Sequence, residues 1–358
     1  MIDALTSVLG EEALHDFYQA RGAAALAGLL AGLLFLLGKA ADKLVGEAVV
    51  VSERSGLPKV VIGATIVSLG TTSPEAAVSV LAALQGDPGL ALGNAVGSII
   101  CDTGLILGIA CLVAPPVLPR RIVNRQGWLQ FGAALLLVAL CWPIGGSPLV
   151  DGGRLSQRAG FLLVGLLVGY LWLNVRWARQ SDPEEIAAKL EAIEQESGDL
   201  ASPLPAVVAK LLAAVGMVVL ASHLLIPAIS VAAERLGVPK AIVAASLVAF
   251  GTSLPELVTA ITASLRGHGD LAVGNVIGAD ILNVLFVAGL AAAATPAGLV
   301  ATPEFFRVLF PAMIGLLVVF RVGVLTSGER LKRGFGLVLL LAYVGAMIAS
   351  YATIAPGE

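Results

Sequence analysis

Residues 56–111 read GLPKVVIGATIVSLGTTSPEAAVSVLAALQGDPGLALGNAVGSIICDTGLILGIAC, and residues 237–292 read GVPKAIVAASLVAFGTSLPELVTAITASLRGHGDLAVGNVIGADILNVLFVAGLAA; the two align without a gap at a constant offset of 181. Chance likeness between apolar stretches scatters Leu, Val and Ala matches. Here the matches include Pro58/Pro239, Lys59/Lys240, Pro74/Pro255, Glu75/Glu256 and Asn94/Asn275, which no apolar run requires. The two stretches therefore read as a duplication.

The surrounding composition says what was duplicated. The chain is 58% hydrophobic and 13% charged, against roughly 25% charged in a soluble domain. Crossing a bilayer takes about 20 apolar residues per helix, and such runs fall at 22–38, 57–84, 88–113, 127–144, 158–177, 205–230, 238–266, 270–294, 305–326 and 334–353. The expected fold is an all-α membrane protein of about ten transmembrane helices. The duplicated stretch occupies the second and third runs and again the seventh and eighth. Five crossings separate equivalent points, so equivalent helices run in opposite directions, as in transporters built from two inverted five-helix repeats with a midplane site between them. Residues 1–180 form the first repeat, 205–358 the second, and 181–204 an acidic cytoplasmic linker, in which Ser181 and Glu184 read as a capping box.

Loops on one face carry Arg54, Lys59, Arg120, Arg121, Arg125, Arg176, Arg179, Arg266, Arg330, Lys332 and Arg333 and the other face fewer, which predicts that the first face is cytoplasmic and that both termini lie outside. The acidic start, MIDALTSVLGEEALHDFYQARG, lacks the basic and apolar order of a cleaved signal. The expected location is the cell membrane, with lipid as the surroundings. Cys101, Cys111 and Cys141 show no metal-ligand spacing and read as small core residues. A formal charge of −3 implies no nucleic-acid partner, and the sequence points to no protein partner.

Each repeat carries Gly-Thr-x-x-Pro-Glu: Gly70 to Glu75, and Gly251 to Glu256. A carboxylate at mid-membrane costs about 2.5–3.5 kcal/mol on insertion scales, so it marks function. Pro74 has no N–H for the Gly70 carbonyl and its ring crowds that oxygen, so the helix opens there. Freed carbonyls in hydrocarbon must face protein, water or an ion. Thr71 and Glu75 are four apart, which on a continuous helix sets hydroxyl, carbonyl and carboxylate on one face. Hard cations want such oxygens, and Ca2+ takes six to eight. In the next helix, Gly93/Gly97 and Gly274/Gly278 permit close backbone packing, while Ser98 and Asp102 add a hydroxyl and a carboxylate. Asp42 and His223 are repeat partners and read as an interhelical pair near the pathway.

These paired GTxxPE and GNxxG segments resemble the two alpha repeats, here 56–111 and 237–292, of the cation/calcium exchanger superfamily, particularly its prokaryotic Na+/Ca2+ exchangers. The resemblance implies that Glu75 and Glu256 are the central Ca2+ ligands. It further implies that Thr71, Thr72, Thr252 and Ser253 complete the ion sites, and that Ser98, Asp102 and Asn283 contribute from the second helices. Three departures stand out. Thr72 replaces Ser; Ala279 replaces a Ser used for Na+; and Asp102, Asn283 and Asp280 redistribute the usual Asn and Asp. The metal-ligating set is thus Glu75, Glu256, Thr71, Thr72, Thr252, Ser253, Ser98, Asp102, Asn283 and Asp280, with no resident cofactor.

The implied activity is antiport of Ca2+ against Na+ by alternating access, with H+ as the alternative counter-ion because Asp102 and Asp280 could carry protons. Exporting two charges against roughly 150 mV costs about 7 kcal/mol, so a coupled ion is required. A passive channel wants rings of ligands along a pore, and enzyme chemistry finds no HExxH or nucleophile–base spacing around His15, His223 and His268.

Overall fold

The computed structural model describes residues 10–55, 57–178, 203–235 and 251–354. The linker, its Ser181/Glu184 box, and the segment 236–250 with Pro239 and Lys240 lie outside them. The helices are α1 (Glu11–Gln19), α2 (Ala23–Ser55), α3 (Lys59–Thr71), α4 (Ser73–Leu84), α5 (Pro88–Val113), α6 (Arg120–Cys141), α7 (Gln157–Ala178), α8 (Leu204–Arg235), α9 (Leu254–Leu265), α10 (Gly269–Ala294), α11 (Phe305–Thr326) and α12 (Arg333–Ile354). One small ribbon departs from the all-helical expectation: β1 (Gly153–Leu155) pairs antiparallel with β2 (Leu299–Ala301).

Among the described residues six helices are long and apolar enough to cross a membrane, and seven if α3 and α4, bent by 42° at their break, are counted as one span. Leu34, Phe35, Phe161, Leu341 and Ile348 are exposed on the outside of the helical bundle, as a lipid-facing surface requires. Two boundaries differ from expectation. The first span does not stop at residue 38: α2 continues to Ser55, because Leu37, Ala41, Leu44, Ala48 and Val51 keep one buried stripe at helical spacing past the charges. The fourth begins at Arg120 rather than 127, so its first turns carry Arg121, Asn124, Arg125 and Gln126 within the helix.

The duplication is visible in the backbone. Gly86 and Gly267, repeat partners, both turn with positive φ, 93° and 81°, a conformation that suits glycine. The second helix of each aligned stretch loosens into π-helix within one residue of the same place, Cys101–Ile106 in α5 and Asn283–Ala288 in α10. His268 lies against Lys59, Nδ1 to Nζ 3.2 Å. It therefore sits at the start of the α3–α4 crossing, whose far end is Gly86, so the two equivalent loops lie at opposite ends of the bundle. The Arg266 guanidinium pairs with Asp42 at 3.1 Å at that same end, where the Arg120 guanidinium donates to the Ser327 carbonyl. Arg154 reaches the Ala297 carbonyl at the other end, 2.9 Å.

Close packing fixes the core. A Cβ on Gly274 would meet the Val60 carbonyl oxygen at 2.2 Å, and one on Gly278 would meet Ala64 Cα at 2.5 Å, so α10 lies backbone to backbone on α3. Helices α2 and α8 run along each other. Across α8, Val215 fills the space over Gly70 and Ile226 that over Gly251. Cys101, Cys111 and Cys141 are buried and free, as expected.

Candidate ion-binding site

The GTxxPE segments break their helices. At Thr72 (φ −83°, ψ −3°) the chain leaves α3 and re-enters helix as α4, and Ser253 (φ −86°, ψ 8°) does the same before α9. Pro74 and Pro255 sit in the first turns after these breaks, where a missing N–H costs nothing. Glu75 and Glu256 follow immediately, each 1% exposed.

The break alters one expectation. Thr71 and Glu75 do not share a continuous helical face, and the first repeat's hydroxyls serve the other repeat's carboxylate. Thr72 Oγ1 donates to Glu256 Oε1 at 3.1 Å, and Thr71 lies beside the same carboxyl while donating to Ser68 O at 3.4 Å. The reciprocal tie runs through the second helices: Thr252 Oγ1 donates to Asn94 Oδ1 at 3.3 Å, and Asn94 Nδ2 reaches Ser79 Oγ at 3.0 Å and the Glu75 carbonyl at 3.4 Å. Asn283 Nδ2 donates to Asp102 Oδ2 at 3.4 Å, a contact between residues 181 apart and thus between repeat partners themselves. Such a pair can meet only near the axis relating the repeats.

Glu75 lies within electrostatic reach of Glu256 and Asp102, and Asp102 within that of Glu256 and Asp280. Among the described residues, buried oxygens without a hydrogen-bond partner include Glu75 Oε2, Glu256 Oε2, Asp102 Oδ1, Asn283 Oδ1, Ser98 Oγ and Ser253 Oγ. Buried polar atoms are ordinarily satisfied, so a group of orphans in one place calls for an ion or water. No three of His, Cys, Asp or Glu among the described residues converge into a closed metal cage. A cation held here would therefore take neutral oxygens along with carboxylates, which suits hard alkali or alkaline-earth ions.

Asp280 is the member that stands apart. Its Oδ2 accepts from Thr103 Oγ1 and from Gln130 Nε2, both at 2.5 Å. Gln130 and Thr103 were not read as site residues from the sequence. The available signal was a glutamine inside an apolar span, strengthened by Gln126 four residues earlier, whose amide bonds Asn174.

A sodium/calcium exchanger protein family model matches residues 25–176 and 206–352. The chain belongs to that family. It is 32% identical over 324 residues to inner membrane protein YrbG of Escherichia coli K12, covering 89% of this chain and 94% of that one. It is 29% identical over 348 residues to the sodium/calcium exchanger MaX1 of Methanosarcina acetivorans, covering 90% and 97%. Solved structures of the sodium-calcium exchanger NCX_Mj share the fold, one with a TM-score of 0.72 over 90% of this chain and 98% of that one at 23% identity. The exchanger is accordingly a multi-pass integral membrane protein, and its family is one of transporters.

Proposed function

We propose that this exchanger moves Ca2+ against Na+ across the cell membrane by alternating access, through ten helices in two inverted five-helix repeats. The observation that carries the reading is the crossed pair of half-sites. Glu75 and Glu256 are buried at repeat-equivalent helix breaks, and Thr72 of one repeat bonds the glutamate of the other. Glu75 and Glu256 are the central Ca2+ ligands, surrounded by oxygens from Thr71, Thr72, Thr252, Ser253 and Ser98, with Asp102 and Asn283 contributing from the second helices. Two or more carboxylates and several neutral oxygens match what Ca2+ takes. Na+ competes for the same oxygens.

Alternating access needs an element that shifts against a fixed core. Helices α2 and α8 are the candidates, since they pack on each other and α8 rides over Gly70 and Gly251, beside both breaks. More than two monovalent cations must enter per Ca2+ for membrane voltage to assist export. The names of MaX1 and NCX_Mj, both sodium/calcium exchangers, favour Na+ as the coupled ion.

One observation favours H+ instead: Ala279 lacks the hydroxyl, and Asp102 at the site and Asp280 bordering it add buried carboxyls that could carry protons. Vesicles containing the purified protein, loaded with Na+ at equal pH on both sides, are expected to accumulate Ca2+. Uptake driven by a pH gradient but not by a Na+ gradient overturns the Na+ assignment in favour of H+.

A further inference from the structure

Asp280 borders the Ca2+ site without joining it. It lies within electrostatic reach of Asp102, yet its hydrogen bonds go to neither Glu75 nor Glu256 but to Thr103 in the π-helical part of α5 and to Gln130 in the middle of α6. All three side chains are buried, Asp280 at 2%, Thr103 at 0% and Gln130 at 2% exposure. Both donors converge on Oδ2. Asp280 Oδ1 and Gln130 Oε1 are left buried with no partner.

A polar knot that merely fastened three helices would spread its donors over both carboxylate oxygens, since each bare buried oxygen costs about 1–3 kcal/mol. Here the bare oxygens belong to the two groups already bonded to each other. They are a carboxylate oxygen and an amide oxygen, the kinds of donor that hard cations select. The group also breaks the repeat symmetry. The partners of Asp280 and Thr103 at the offset of 181 are Ile99 and Val284, both apolar, so the cluster is not an inherited half of a paired site.

We propose that Asp280, Thr103 and Gln130 form a monovalent-cation site for Na+, lateral to the Ca2+ site. One carboxylate with neutral oxygens balances a single positive charge, whereas a divalent ion there would remain half compensated. The site takes over the role of the hydroxyl that Ala279, the preceding residue on α10, does not provide. A Na+ beside Asp280 also relieves its repulsion with Asp102, which ties occupancy of the lateral site to that of the Ca2+ site. This assignment rests on the Na+/Ca2+ reading for its role in transport, but not for its existence.

The test is equilibrium binding of radioactive Na+ to the purified full-length protein, beside Ca2+ binding in Na+-free medium and Na+-driven Ca2+ uptake in vesicles. Asp280→Asn is expected to lose one bound Na+ per protein and to lower the Na+ Hill coefficient of uptake, while Ca2+ binding without Na+ persists. Thr103→Val and Gln130→Leu, which keep the carboxylate, are expected to weaken the same Na+ without removing Ca2+; they decide the matter should Asp280→Asn fail to fold. An unchanged Na+ count in the folded variants overturns the site. Loss of Ca2+ binding equal to that of Glu75→Gln also overturns it, because Asp280 would then belong to the Ca2+ site. So does an Asp280→Asn protein whose Na+ binding is intact but whose uptake has lost a pH dependence, since the group would then carry a proton. If Na+ binds with this dependence but no Na+ gradient moves Ca2+, the exchange reading fails and the lateral site stands.

Discussion

Replacing Gly274 by alanine tests whether the ion site depends on the backbone contact between α3 and α10. The added Cβ would stand 2.2 Å from the Val60 carbonyl oxygen and 2.8 Å from Val60 Cα. Carbon and carbonyl oxygen ordinarily approach to about 3.3 Å, so the helices must part by on the order of 1 Å. The obstacle is main chain, and no side chain can rotate away. Overpacking of this kind costs about 1–3 kcal/mol, which for a chain of this size corresponds to roughly 1–4 °C in Tm. Function should suffer more than stability, because α10 carries Asp280 and Asn283 and α3 leads into Thr71 and Thr72. Both halves of the crossed site would be pulled apart. The assay is thermal unfolding of the detergent-purified protein with Ca2+ uptake in vesicles, using Gly132→Ala as control, since nothing described lies within 4 Å of that added methyl. Wild-type Tm and uptake in Gly274→Ala would refute the claim that close approach of these two helices shapes the site.

Glu75→Gln and Glu256→Gln are each expected to reduce Ca2+ uptake while the protein still inserts; a lost charged contact is worth about 1.5–3 kcal/mol, or roughly ten- to a hundredfold, and near-normal flux from either variant removes that residue from the site. Ala279→Ser should raise apparent Na+ affinity in uptake titrations, and no change would mean this position does not face the ion. Gln85→Cys and Arg266→Cys, repeat partners at the ends of α4 and α9, should react with an impermeant thiol reagent from opposite sides in a cysteine-free background. These positions are preferable to Gly86 and Gly267, where a cysteine would be strained by positive φ. His268, outside the spans, is held below the usual histidine range by burial and then by Lys59. The unfolded chain therefore binds more protons between the folded-state value and about 6.5, and stability should fall as pH falls through that window; His268→Gln should flatten the Tm-against-pH curve there, and an unaltered slope would discount the contact.

The duplication and the glutamates were legible because hydrocarbon makes them expensive. Proline, glutamate and asparagine recur at matching places only under strong constraint, and Pro74 and Pro255 mark the breaks on which the site is built. Helix ends were less legible where the apolar run and the helix differ. Lys39, Asp42, Lys43 and Glu47 end the apolar run but not α2, whose backbone bonds do not depend on polarity and whose buried stripe persists. Asp42, read from the sequence together with His223, pairs instead with Arg266.

What the repeat conceals is its own asymmetry. An alignment at offset 181 highlights residues that agree, so Asp280 opposite Ile99 and Thr103 opposite Val284 register only as mismatches. Neither Thr103 nor Gln130 is unusual alone in a membrane helix, and 177 and 150 residues separate them from the carboxylate they bond. Packing brings them together: the glycine face of α10 seats its helix on α3, and that docking sets Asp280 toward α5 and α6 while Asn283 reaches Asp102 across the axis. The symmetric half of the site follows from duplication and can be read from one repeat given the other. The lateral half joins Asp280 of one repeat to Thr103 and Gln130 of the other, with apolar Ile99 and Val284 at the positions equivalent to Asp280 and Thr103, so only the folded arrangement displays its logic: a carboxylate whose two hydrogen bonds occupy one oxygen leaves the other for a cation.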